Sequence, residues 1–219
     1  MRGSPPCTVP GAFLPLLPAP DLAAARVLRT RLGLLAAAAV GLRIKLDAAR
    51  GRPFGDLPAA SDPRERASRR QAGDAVLLYR ALLRRLDRDA AFALAGDVLH
   101  EAALAFLDET VGPLGPGDLR PLSADARLAF VRERLVRFPN VEADLVAAEP
   151  DRVAFRVTRC RLVELVREAG HPELAPLFCT ADATFFGQSR PGVTLERPGT
   201  LAGGASDCHF ILHASGGEP

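Results

Sequence analysis

The stretch "VEADLVAAEPDRVAFRVTRC", residues 141 to 160, limits the possible folds more than any other part of this chain. Its two halves, 141–149 and 152–160, alternate or nearly alternate apolar and polar residues, with the turn "EPDR" between them. A period of two puts successive side chains on opposite faces, so the segment reads as a β-hairpin with one buried face. No such period occurs before Pro139. A fold class follows: α+β, N-terminal helices followed by a small antiparallel sheet of about four strands packed on helices.

Residues 1–20 hold six prolines and read as a flexible arm. From Asp21, a residue suited to an N-cap, one long helix is expected to Gly51. A Pro- and Gly-containing link follows at 52–63. In 64–87 the apolar positions Ala75, Val76, Leu78, Tyr79, Leu82, Leu83 and Leu86 recur at three and four, which is helical spacing. Asp89 is expected to cap a helix through about Glu109, "VGPLGPGDLRPL" reads as a turn-rich break, and Ser123–Arg137 as a fourth helix. Beyond the hairpin come a short helix at 161–169, a helical start after Pro172, and two strands in "GVTLERPGTLA" and "DCHFILHA". The organisation expected is an arm at 1–20, a helical region at 21–138 and an α+β region at 139–219.

The bulk numbers exclude several classes. A net charge of +2 over 219 residues gives no concentrated basic face, so no nucleic-acid partner is expected. The apolar run between Arg31 and Arg43 falls short of the roughly twenty residues that span a bilayer, so no membrane partner is expected either. "GAFLPLLPAP" is broken by Pro15, Pro18 and Pro20 and does not read as a signal peptide. Four cysteines, Cys7, Cys160, Cys179 and Cys208, do not form the dense framework of a disulfide-stapled domain. The expectation is a cytoplasmic protein with reduced thiols and a small-molecule partner, its oligomeric state left open.

Residues able to do chemistry collect in the last third. Cys160, Cys179, Asp182, Arg197, Thr200, Cys208, His209 and His213 all lie there. If 173–184 is helical, Cys179 and Asp182, at i and i+3, leave the same face. On the last strand Cys208, Phe210 and Leu212 share one face, and His209, Ile211 and His213 the other. The cysteines allow three readings: small buried core residues, a reactive thiol, or metal ligands. No short-spaced ligand pair such as Cys-x₂-Cys is present, and neither a phosphate loop nor a dinucleotide fingerprint can be found. No metal and no cofactor are therefore expected. "LHEAAL" at 99–104 lacks the second histidine of a metalloprotease helix.

The segment "AFRVTRCRLVELVREAGHPELAPLFCTADATFF … LERPGTLAGGASDCHFIL" resembles the L-2-amino-thiazoline-4-carboxylic acid hydrolase family. The resemblance is carried by Arg159 and Cys160 at a strand end, Gly170 after a helix, and Cys179 with Asp182. It continues through Arg197 and Thr200 before the glycine turn at Gly203 or Gly204, then Cys208 and Phe210. The ending also resembles, more distantly, the small-molecule-binding domain of vinyl-reductase-type proteins. In one position the chain departs: His209 stands where the family often has aspartate.

That resemblance implies ring-opening hydrolysis of a cyclic C=N substrate, an amino-thiazoline carboxylate opened to an N-carbamoyl amino acid. Such a reaction needs a nucleophile or activated water, an acid for the ring nitrogen and a cation for the carboxylate. Cys179, Asp182 and Cys208 are the expected catalytic residues, with Cys179 attacking or Asp182 activating water. Arg197, Thr200, His209 and Cys160 are the expected substrate contacts, Arg197 as a bidentate carboxylate clamp. Cys179 and Cys208 are expected to approach each other across the helix–sheet boundary. A thiol beside Arg197 is expected to have a lowered pKa, which makes Cys179 the reactive one. A non-catalytic binding domain is the rival reading.

Overall fold

The computed structural model describes residues 18–112, 118–188 and 192–214. The proline-rich arm to residue 17 and part of the turn-rich break lie outside them. Five helices come first: α1 (Ala19–Leu32), α2 (Leu34–Ala49), α3 (Pro63–Leu82), α4 (Arg88–Val111) and α5 (Ala124–Leu135). Then follow β1 (Val141–Ala148), β2 (Arg152–Cys160), α6 (Arg161–Glu168), α7 (Leu177–Gly187), β3 (Val193–Glu196) and β4 (Cys208–Ala214). The strands form one open antiparallel sheet in the order β1-β2-β4-β3. The chain is α+β.

Side-chain caps fix the starts of α3, α4 and α5. The Asp62 carboxylate accepts from Glu65 N–H at 2.7 Å, Pro63 sits at the first helical position, and Glu65 reaches back to Ser61 N–H at 2.8 Å. This reciprocal arrangement satisfies the orphan donors of the first turn. Asp87 caps α4 by accepting from Ala90 N–H at 2.8 Å, so the cap falls two residues before Asp89. Ser123 caps α5 through Ala126 N–H.

The single helix expected from Asp21 to Gly51 is in fact two. Gly33 has φ 80° and ψ 166°, a conformation essentially reserved for glycine, and the chain breaks there between α1 and α2. The first of these helices starts at Ala19 after Pro18, with Asp21 inside its first turn rather than at its cap. Pro172 opens only a 3-10 turn (Pro172–Leu174), and α7 begins beyond Pro176. β3 stops at Glu196, two residues before Pro198, and Leu201–Gly203 is a 3-10 turn instead of strand.

Two apolar cores hold the layers. Val40, Val76, Tyr79, Leu82 and Leu174 pack together among the helices, and Leu107, Val131, Val153, Phe186 and Leu212 pack helices on the sheet. Among the described residues α4 is the one helix long and apolar enough to cross a membrane, but α1, α3 and α7 pack against it. A third, smaller cluster of Val157, Cys208 and Phe210 lies on the inner sheet face, and the site is built there.

Candidate active site

Four segments converge on that face. α7 supplies Cys179 and Asp182, one helical turn apart; β2 ends in Cys160; β4 begins with Cys208 and continues to Phe210; Arg197 leaves the end of β3. All six side chains line one cavity of about 1230 Å³ between the helices and the sheet. The alternation along β4 puts Cys208, Phe210 and Leu212 on its wall.

Arg197 organises the group. Its Nη1 donates to Asp182 Oδ2 at 2.5 Å and its Nη2 donates to the Cys179 carbonyl at 2.9 Å. The guanidinium carbon lies 5.0 Å from the centre of the Phe210 ring, which stacks on Phe155 at 4.7 Å. Only 12 % of the Arg197 side chain and 19 % of the Asp182 side chain are exposed. In such a setting each charge depends on the other, because a lone buried ion is costly.

The titrations follow from this burial. Desolvation pushes Asp182 up to about 6 against the opposing charge and hydrogen bond of Arg197. The Cys179 thiol is pushed up to about 12, first by burial and then by the neighbouring Asp182 carboxylate, with Arg197 only partly compensating. Burial also raises Cys160, against the N–H groups of Val163 and Leu162, and Cys208, against the N–H of Leu201. The Leu201 N–H lies 3.2 Å from Cys208 Sγ. The expected lowered thiol pKa beside Arg197 is therefore corrected: Arg197 is already paired with Asp182, and desolvation outweighs what its charge gives Cys179.

Two expected substrate contacts stand elsewhere. The Thr200 hydroxyl accepts from Gly203 N–H at 3.0 Å and caps the turn, which closes at Gly204 with φ 93°. Thr200 shapes the turn and does not line the cavity. His209 is paired in register with Arg156 on the opposite face of β4, away from the cavity, because side chains alternate along a strand. The exchange of an acid for His209 thus falls off the face that carries Cys208. Arg159, exposed, bridges Glu142 and Glu164 and fastens the hairpin to α6. Among the described residues no three His, Cys, Asp or Glu side chains are grouped so as to hold a metal ion.

The sequence reading missed the aromatic wall of Phe155 and Phe178, and it missed Asn140. Asn140 follows Pro139 and reads as turn punctuation, yet it is 8 % exposed. Nothing in the sequence marks it as buried.

A family model described as L-2-amino-thiazoline-4-carboxylic acid hydrolase matches residues 66–212. The chain belongs to this family. No curated protein and no solved structure matches it. The family segment runs from α3 into β4 and so contains all six site residues, while α1 and α2 precede it.

Proposed function

We propose that this member of the hydrolase family opens a small cyclic C=N substrate of the amino-thiazoline carboxylate kind. The observation that carries the reading is the buried Asp182–Arg197 pair facing a cavity beside Cys179. A non-catalytic binding domain has no need of that pair, since burying both charges costs several kcal/mol per ion before their attraction is counted, roughly speaking. An acid held near 6 is also suited to taking a proton at neutral pH.

The nucleophile in this reading is water. At neutral pH the Cys179 thiol keeps its proton, whereas Asp182 is mostly ionised and its second oxygen can accept. Asp182 takes one proton as the water oxygen bonds to the ring carbon between nitrogen and sulfur, and then hands that proton to the ring nitrogen. The carbonyl then forms, the carbon–sulfur bond breaks, and the remaining hydroxyl proton passes to the departing sulfur. One water is consumed and the product is an N-carbamoyl amino acid with a free thiol. The guanidinium of Arg197, held from below by Phe210, offers its remaining N–H groups to the substrate carboxylate.

Incubating purified protein with L-2-amino-thiazoline-4-carboxylate and following the carbamoyl product by mass tests this. Asp182→Asn should lower kcat by about 10²–10⁴, the range of a lost general base. Cys179→Ser should stay within about tenfold of the parent protein, because a protonated thiol contributes no nucleophile. No product from the parent chain sinks the hydrolase reading. Loss of turnover in Cys179→Ser with Asp182 intact transfers the attack to sulfur.

A further inference from the structure

The cavity is larger than an amino-thiazoline carboxylate requires. Its volume of about 1230 Å³ exceeds the roughly 300–1,000 Å³ usual for small-molecule sites, whereas the ring in question carries one carboxylate and one amino group. The surplus space has a definite chemistry. From the site it runs along apolar side chains of α4, Leu99, Phe106 and Leu107 among them, and reaches α1 at Leu28. Its lining on α1 and α2 includes Leu22 and Leu34, which are 43 % and 69 % exposed, together with the charged Asp21, Arg26, Arg29 and Lys45. A mostly apolar cavity, with charged residues towards α1 and α2, therefore joins exposed side chains to a buried ion pair.

A second observation lies at the inner end. Asn140, immediately before β1, is 8 % exposed, and its Oδ1 is buried without a hydrogen-bond partner. The Oε1 of Gln71, on α3, is buried and unpartnered as well, and both residues line the cavity. An unsatisfied buried acceptor costs about 1–3 kcal/mol, so two among the residues lining one cavity point to a ligand donor group. The position of Asn140 is set by the hairpin: Val141 pairs with Cys160, and Arg161 N–H donates to the Asn140 carbonyl at 2.8 Å. Asn140 is thus next to the Cys160 side of the site, and Cys160 in turn lies near enough to Asp182 and Cys208 to feel their charges.

We propose that the natural substrate is amphipathic: an N–H-bearing polar end held between Asn140 and Gln71 on one side and Arg197 on the other, with an apolar body extending along α4. The proposal rests on the hydrolase reading only for the polar end. The occupant differs from a plain amino-thiazoline carboxylate by a hydrocarbon substituent, and the Asn140 amide oxygen selects for its amino group. Asn140 is here a specificity-determining residue, not one that takes part in bond breaking.

The test uses probes that bind without reacting. 2-Aminothiazole-4-carboxylate is aromatic and resists ring opening; its 5-hexyl derivative adds the apolar body; 5-hexylthiazole-4-carboxylate lacks the amino group. Titration calorimetry on the full chain should show the 5-hexyl compound binding at least tenfold more tightly than its parent. Removing the amino group should weaken binding by tenfold or more in the natural protein and by less than threefold in Asn140→Leu. Asn140→Ser, which retains an acceptor, checks that any loss is not a folding defect and should keep part of the amino preference. Equal affinity for the parent and the 5-hexyl compound, or no affinity for any of the three, overturns the proposal. So does an amino group without effect in the natural protein. Turnover is read separately, on L-2-amino-thiazoline-4-carboxylate and its 5-hexyl derivative, which can open: tight hexyl-probe binding with no carbamoyl product from either refutes hydrolysis and leaves this site standing, and turnover without a hexyl preference in binding does the reverse.

Discussion

At the residue scale Asp182 connects function with stability through its raised pKa. In the unfolded chain its carboxyl titrates near the ordinary 3.8, and in the fold near 6, so the folded state binds the proton more tightly. Its favourable contribution is complete below about pH 4 and is lost as the pH rises through 6, a swing of about 3 kcal/mol. Asp74, on α3, is also raised to about 6, but it is exposed and common to any comparison of variants at position 182. Denaturant unfolding at pH 4 and pH 7 should therefore show the natural protein losing about 2 kcal/mol more than Asp182→Asn over that interval. Equal losses in the two proteins would mean that Asp182 titrates as an exposed acid. Helix spacing put Cys179 and Asp182 on one face, and Arg197 joined them only through the family resemblance. Their pKa values could not be ranked from sequence, because the burial that shifts them is created by elements far apart in the chain.

At the element scale, most boundaries were legible where a side chain caps its own helix. The start of α3, Ser123 and the alternating hairpin each carry their signal locally, and each lands within a residue or two of its expected place. The misplaced boundaries have a different cause. Gly33 sits in an alanine- and leucine-rich stretch whose propensity favours uninterrupted helix, and only the backbone turn there reveals its role. Residue-level propensity was outweighed by the need for α1 to lie along α4 while α2 turns back towards α3. A Cβ at Gly33 would meet nothing within 4 Å, so Gly33→Ala introduces backbone strain without a clash. That substitution should cost roughly 1–3 kcal/mol, measured as a lower denaturant midpoint with unchanged slope. A neutral or stabilising effect would mean that α1 and α2 can run on as one helix.

On the scale of the whole molecule, the helices and the sheet enclose a cavity whose reactive end belongs to the family segment and whose outer end does not. α1 and α2 precede residue 66, yet α1 packs along α4 and covers the apolar passage. A chain lacking residues 1–50 should expose that surface, bind anilinonaphthalene sulfonate strongly and lose cooperative unfolding. If it unfolds cooperatively and stays dark to the dye, the first two helices are dispensable to the enclosure. The cavity itself was not legible in the sequence. Its walls come from α1, α4, α7 and the inner sheet face at once, and no local pattern encodes the gap between them.

The most direct test of the central claim is the pH dependence of kcat/KM for carbamoyl product formation. With Asp182 as the base, the rate should rise with pH on a limb with an apparent pKa near 6 and level off above it. Asp182→Asn should remove that limb. A rate that is flat through pH 6 and climbs only in the alkaline range, towards the Cys179 thiol near 12, would contradict the account and make sulfur the nucleophile.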